Sequence, residues 1–187
     1  MRVKEVTKRE IEKKFVEMND YLRIEYLKSC LQNQLDFDTK KFVLVKLAGL
    51  YEAKGMLLEA GKAMRTAAEI NTFANTKVMD YIKAAELYIR GGDYDRADAV
   101  KQKAIDVGGE TRKDEIEKTF REYYKIQARV CVEVNKRKQA AGVYEKMLTM
   151  DLDLSEKKEV QENLIAIYEA FGEFTKVRSL RRKIPHE

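Results

Sequence analysis

The 187-residue sequence predicts an all-α protein assembled as a solenoid of about five antiparallel helical hairpins in a single domain, 1–187. Apolar and small residues recur three and four positions apart along nearly the whole chain, the period of an amphipathic helix. The same side chains then return at a fixed interval: Tyr51, Gly55 and Ala60 reappear 37 residues on as Tyr88, Gly92 and Ala97, and self-similarity of this kind marks a stacked repeat. The one proline, Pro185, lies near the far end, so no pyrrolidine ring interrupts the helices before it.

The first hairpin, 7–35, is the loosest, with helices at about 8–18 and 20–34. Ile11, Phe15, Asn19 and Tyr21 lie 36 residues before Leu47, Tyr51, Gly55 and Leu57. Neither glycine nor proline marks its turn, so one unbroken helix from about Thr7 to Leu35 fits the same residues, and the sequence leaves both readings open. The second hairpin, 40–71, is the clearest: Leu44, Leu47, Ala48 and Tyr51 form one apolar face, Gly55 breaks it, and Leu57, Ala60, Met64 and Ala67 resume it, giving helices at 40–54 and 57–71. The third, 76–107, repeats it through Tyr81, Ala84, Ala85, Tyr88, Gly92, Tyr94, Ala97 and Ala104, with helices at 76–90 and 94–107.

A six-residue insertion at Gly108–Thr111 lengthens the next interval to 43, after which Ala128, Cys131, Asn135, Ala140 and Tyr144 define a fourth hairpin, 112–150, with helices at 112–134 and 137–150. Leu164, Tyr168, Gly172, Phe174 and Val177 follow after another 37 and define the fifth, 154–184, with helices at 155–171 and 174–184. Gly55, Gly92 and Gly172, with Asn19 and Asn135 as the next-best residues, stand where a helix ends in a left-handed conformation. Thr7 with Glu10 and Asp153 with Glu156 have the capping-box spacing of a helix start.

Composition narrows the function. With 44% hydrophobic and 37% charged residues the chain carries enough apolar surface to fold. Thirty-seven basic against 32 acidic residues give a net charge of +5, a mixed surface that permits nucleic-acid binding without announcing it. The start, Met1–Lys8, lacks the apolar core of a secretory signal, and no stretch reaches the length of a membrane span; a cytoplasmic protein is expected. Cys30 and Cys131 stand far apart in helical apolar patterns and read as buried free thiols.

Leu44, Leu47, Ala48 and Tyr51 followed by Ala60, Met64 and Ala67, and Tyr81, Ala85, Tyr88, Gly92, Tyr94, Ala97 and Ala104 in the stretch KAAELYIRGGDYDRA, resemble the tetratricopeptide (TPR) motif. The resemblance covers about 41–184 and thins after 107, where Gln127, Cys131 and Val177 depart from the pattern. Intervals of 37 and 43 exceed the roughly 34 residues of a standard repeat. The chain is thus similar to longer-helix TPR-like proteins in the manner of the soluble attachment (SNAP) adaptors. The resemblance implies a right-handed α-solenoid serving as a non-catalytic protein–protein interaction scaffold, with first helices lining a concave groove. Carrying the groove positions over gives Val45, Gly49 and Glu52, then Ile82, Glu86 and Ile89, then Lys125, Arg129 and Val132. Val45 and Gly49 replace the lysine and asparagine of chaperone-tail binders. Ile82, Ile89, Lys125 and Arg129 would centre a site for an acidic, amphipathic protein or peptide segment.

Catalytic chemistry finds little support. His186 is the only histidine and follows Pro185, so no His-based triad, base or metal site is expected inside the fold, and no cofactor is implied. Gly91-Gly92 and Gly108-Gly109 lack the spacing of a phosphate cradle. Met56, Met64, Met79, Met147 and Met150 read as core filler. Among the basic clusters, Arg112-Lys113 and Lys136-Arg137-Lys138 read as solvated, while Arg178, Arg181, Arg182 and Lys183 share one sign and one helix face. That last group supports an alternative, an RNA-binding helical-repeat protein with phosphate contacts at Arg178, Arg181 and Arg182. Whether the apolar ends of the array pair into a homodimer is left open.

Overall fold

Many of the helix boundaries coincide with a cap that the local sequence supplies. A computed structural model describes residues 3–182, and the expectations placed on Lys183, Pro185 and His186 lie outside the described residues. Among the described residues there are ten helices and no strand: α1 (Lys8–Phe15), α2 (Asp20–Cys30), α3 (Phe37–Ala53), α4 (Leu57–Ile70), α5 (Ala74–Gly91), α6 (Tyr94–Gly108), α7 (Glu110–Glu133), α8 (Arg137–Met147), α9 (Leu154–Ala170) and α10 (Phe174–Arg181). The all-α expectation holds. No helix among the described residues is long and apolar enough to cross a membrane.

Four of the turns share one hydrogen-bonded form. The backbone N–H of Met56 donates to Tyr51 at 2.8 Å, Asp93 to Tyr88 at 2.9 Å, Lys136 to Cys131 at 2.7 Å and Glu173 to Tyr168 at 2.9 Å, the six-to-one bond that closes a Schellman cap. The acceptors stand at the 37-, 43- and 37-residue intervals found in the sequence. Each cap needs a left-handed residue, supplied by Gly55, Gly92 and Gly172 and, at φ 56°, by Asn135.

Asn19 behaves otherwise. It is extended at φ −75°, ψ 165°, and its side chain accepts from the Leu22 N–H, so it starts α2 instead of ending α1. The stretch 7–35 is therefore two helices and not one. Both capping boxes form, Thr7 with Glu10 and Asp153 with Glu156.

The contacts fall into two compact units, Met1–Glu117 and Lys118–Glu187. In the first unit, Ile11, Tyr26, Leu27, Cys30, Val43 and Leu47 form an apolar core under α1, α2 and α3, and burying each such side chain contributes roughly 1.5–3 kcal/mol. Asn33 Nδ2 donates to the Val3 carbonyl at 3.1 Å and holds the segment before α1 against it. Further on, each helix packs on its successor, α3 on α4, α4 on α5 and α5 on α6. Small residues set the distance: a Cβ added at Gly61 would stand 2.8 Å from Tyr88 Cε1. The α4–α5 loop is tied down by buried Asn71, whose Nδ2 donates to Thr76 Oγ1 at 2.9 Å and Asp80 Oδ2 at 2.8 Å. Lys41 of α3 reaches the same Asp80 oxygen at 2.9 Å.

In the second unit α8 packs on α9 and α9 on α10 around Phe120, Tyr124, Met147, Leu164 and Tyr168. Cys30 and Cys131 are buried and free, as expected. The methionines divide: Met64 and Met147 are buried, whereas Met56 and Met79 are exposed at the ends or outer faces of their helices and do not fill a core.

Candidate functional site

Helix α7 carries three faces within the second unit. Phe120, Tyr124, Ala128 and Cys131 are buried in the core. Roughly a third of a turn round, at 100° per residue, Lys125, Arg129 and Val132 line a cleft of about 480 Å³ between α7, α8 and α9. A further third round, Ile126, Val130 and Val134 are exposed.

Tyr144 and Met147 of α8 form the cleft floor, and α9 supplies the opposite wall through Glu156, Glu159, Val160 and Asn163. These four are spaced i, i+3, i+4 and i+7, which places them on one face of a helix. One carboxylate fixes the mouth. Glu156 Oε2 accepts from the Asp153 N–H at 3.2 Å, closing the capping box, while its Oε1 accepts from Lys125 Nζ at 2.6 Å. Lys125 also donates to Glu122 at 3.2 Å.

The electrostatics follow from these bonds. The hydrogen bond from Lys125, reinforced by its charge, holds the Glu156 carboxyl below its ordinary range against the opposing effect of burial. The Lys125 ammonium is raised in turn, first by Glu156 and then by Glu122, with burial opposing. Burial raises the Tyr144 phenol, with Glu159 adding to the effect and Arg129 working against it. Arg129 has no carboxylate partner among the described residues. Glu122, Glu133, Glu156 and Glu159 outnumber Lys125 and Arg129 around the cleft, so Lys125 is neutralised from within and the lining is acidic on balance.

The first unit presents a different arrangement. Val45 is 40% exposed and Ile82 half-buried. Glu86 accepts from Lys83 at 3.0 Å and from Arg90 at 3.1 Å, and both cations also reach Glu52 on α3. Val45, Gly49 and Ile82 thus border a charge-compensated network linking α3 to α5. Ile89 is a correction. It is 1% exposed, like Tyr88 and Leu87 in the same turn of α5. It belongs to the core and offers a partner nothing. The sequence-predicted residues therefore fall into two sets, Val45, Ile82 and Glu86 in one unit and Lys125 and Arg129 in the other.

Arg178, Arg181 and Arg182 are exposed on and just after α10. Arg181 pairs with Glu169 at 2.5 Å, while Arg178 and Arg182 have no ion pair among the described residues. Among the described residues no group of three His, Cys, Asp or Glu side chains is arranged to hold a metal ion.

No family model matches the sequence. No curated protein matches it. Among solved structures, the chain is similar to one described as the crystal structure of BtubC (BKLC) from P. vanneervenii, with 16% identity and a TM-score of 0.39 over 93% of this chain and 75% of that one. At that TM-score the likeness carries no argument about fold or function.

Proposed function

We propose that the chain is a non-catalytic, TPR-like protein-binding scaffold of the cytoplasm, and that the α7–α9 cleft receives a helix or extended segment of a partner protein. The observation that carries this reading is the cleft itself, where Tyr144 and Met147 form an apolar floor between an α7 wall of mixed charge and an acidic α9 wall. Its volume of about 480 Å³ takes the side chains of one helical turn. Because Lys125 is already paired, the cleft suits an amphipathic segment that offers a carboxylate to Arg129 and cations to Glu133 and Glu159.

The test is a photo-crosslinking residue placed at Asn163, compared with the same residue at Glu162 outside the cleft, followed by identification of the crosslinked partner. The partner should be captured from Asn163 alone, and Arg129→Glu with Val132→Asp should abolish capture while the helical circular dichroism is unchanged. Equal capture from both positions would dismiss the cleft. Lys125 is a poor choice for charge reversal, since Glu there would face Glu156 and Glu122 and disturb the start of α9.

RNA binding is the second reading, favoured by Arg178 and Arg182, which lack carboxylate partners among the described residues. It requires affinity for a single-stranded oligonucleotide to fall with salt at a log–log slope near −0.7 per phosphate neutralised. A flat salt response would remove it.

A further inference from the structure

A second surface of the Lys118–Glu187 unit is built differently from the cleft. The turn that joins α7 to α8 and the end of α9 border a shallow surface hollow of about 570 Å³, lined by Asn135, Lys136, Arg137, Lys138, Gln139 and Phe171. No carboxylate lines it. Phe171 is 44% exposed there, and the adjacent Val134 is 54% exposed. Lys136, Arg137 and Lys138 have no ion pair among the described residues, whereas Lys83, Arg90, Lys103, Lys125, Lys176 and Arg181 are each held by a carboxylate. Three consecutive uncompensated cations beside an exposed aromatic ring make a local surface complementary to an anionic, partly apolar segment.

We propose that this hollow docks a short acidic peptide segment of a partner protein, one large apolar side chain seated against Phe171 and its flanking carboxylates on Lys136, Arg137 and Lys138. Size and shape decide between occupants. A hollow of about 570 Å³ holds one large side chain with its flanks, as binding pockets of roughly 300–1,000 Å³ do. Arg137 and Lys138 lie in the first turn of α8 with Lys136 just before it, where the chain rises only about 1.5 Å per residue, so the cations form one compact group. That meets one or two phosphates, too few for the extended basic track by which nucleic acid is held. A bilayer surface is held by a broader basic patch, of about four to eight cations, than these three residues make. Asn135 and Gln139 supply amide donors and acceptors for the backbone of an extended segment.

The experiment is fluorescence anisotropy on the full chain with a fluorescein-labelled octapeptide, Glu-Glu-Asp-Leu-Phe-Asp-Glu-Glu, and a control in which Leu and Phe are replaced by Ser. Saturable binding of the first is expected, weakened about tenfold or more by the triple variant Lys136→Glu/Arg137→Glu/Lys138→Glu. The milder neutralisation Lys136→Gln/Arg137→Gln/Lys138→Gln should weaken it less. Phe171→Ala should reduce affinity about fivefold for the apolar peptide and leave the Ser control unchanged. Arg129→Glu in the cleft should leave all of these values unchanged, so failure here and failure of the cleft reading are distinguishable. The proposal is overturned if the wild type shows no saturable binding up to about 1 mM peptide, or if charge reversal in a protein of unchanged helicity leaves binding intact. It is equally overturned if a twelve-nucleotide oligouridylate or vesicles of anionic phospholipid bind this surface more tightly than the peptide, or if the charge reversal abolishes a self-association of the chain.

Discussion

Replacing Gly61 with alanine and, separately, Gly49 with alanine puts the close approach of α4 and α5 to a direct test. Both glycines lie inside helices, where alanine is favoured over glycine by about 0.8–1.0 kcal/mol. At Gly49 an added Cβ meets nothing within 4 Å, so Gly49→Ala should stabilise the chain by about that amount. At Gly61 the same methyl would stand 2.8 Å from Cε1 and 2.9 Å from Cδ1 of Tyr88. The Tyr88 ring is 1% exposed and has no free end to swing aside, so α4 and α5 must separate, at an overpacking cost of about 1–3 kcal/mol. The net expectation is a neutral change to about 2 kcal/mol of destabilisation, opposite in sign to Gly49→Ala. Urea unfolding followed by circular dichroism at 222 nm measures both. If Gly61→Ala stabilises as much as Gly49→Ala, the packing of α4 on α5 has been misjudged.

Ile89→Ala should destabilise by about 2–4 kcal/mol as a core truncation, against less than about 0.5 kcal/mol for Val45→Ala at an exposed site; equal costs would return Ile89 to the surface. The lowered Glu156 carboxyl contributes stability that is present above its unfolded value and is lost as pH falls through its folded value. The urea midpoint of the wild type should therefore drop on acidification from about pH 5 to pH 3 more than that of Glu156→Gln, and parallel pH profiles would refute the Lys125 pairing. Burial raises both Cys30 and Cys131 above the ordinary thiol range, so neither should react with a thiol reagent at neutral pH until the chain is unfolded in denaturant; labelling at the rate of a free thiol would disprove their enclosure.

Much of this fold was readable because helix ends carry their own chemistry. The interval from Tyr51 to Tyr88, Cys131 and Tyr168 could be counted in the sequence, and the structure puts the same cap at each acceptor. Asn19 was misread because asparagine suits both ends of a helix: it tolerates the left-handed conformation, and its short amide also caps a first turn. Ile82 and Ile89 lie seven residues apart on one face, yet only the first approaches the surface. The enclosure of the last turn depends on the neighbouring helix, and no pattern within α5 reveals it. Half of the cleft was legible, through Lys125, Arg129 and Val132. Its other wall was in view as the i, i+3, i+4, i+7 set at Glu156, Glu159, Val160 and Asn163, but nothing in the sequence shows which helix face turns toward α7. Lys136, Arg137 and Lys138 are exposed, as a solvated cluster should be, and the sequence does not show that Phe171, from a turn more than thirty residues on, lies beside them.

The amide of Asn71, gripping Thr76 and Asp80 while Asp80 holds Lys41, binds three helices through one short connection. Lengthening the chain there would tear all of those bonds at once. At Gly109, by contrast, the backbone is exposed and no atom stands within 4 Å of where a Cβ would be, and this is where the irregular interval already carries its six surplus residues. Growth of the chain, whether by natural duplication or by splicing in a foreign module, is admitted at one joint and barred at the other.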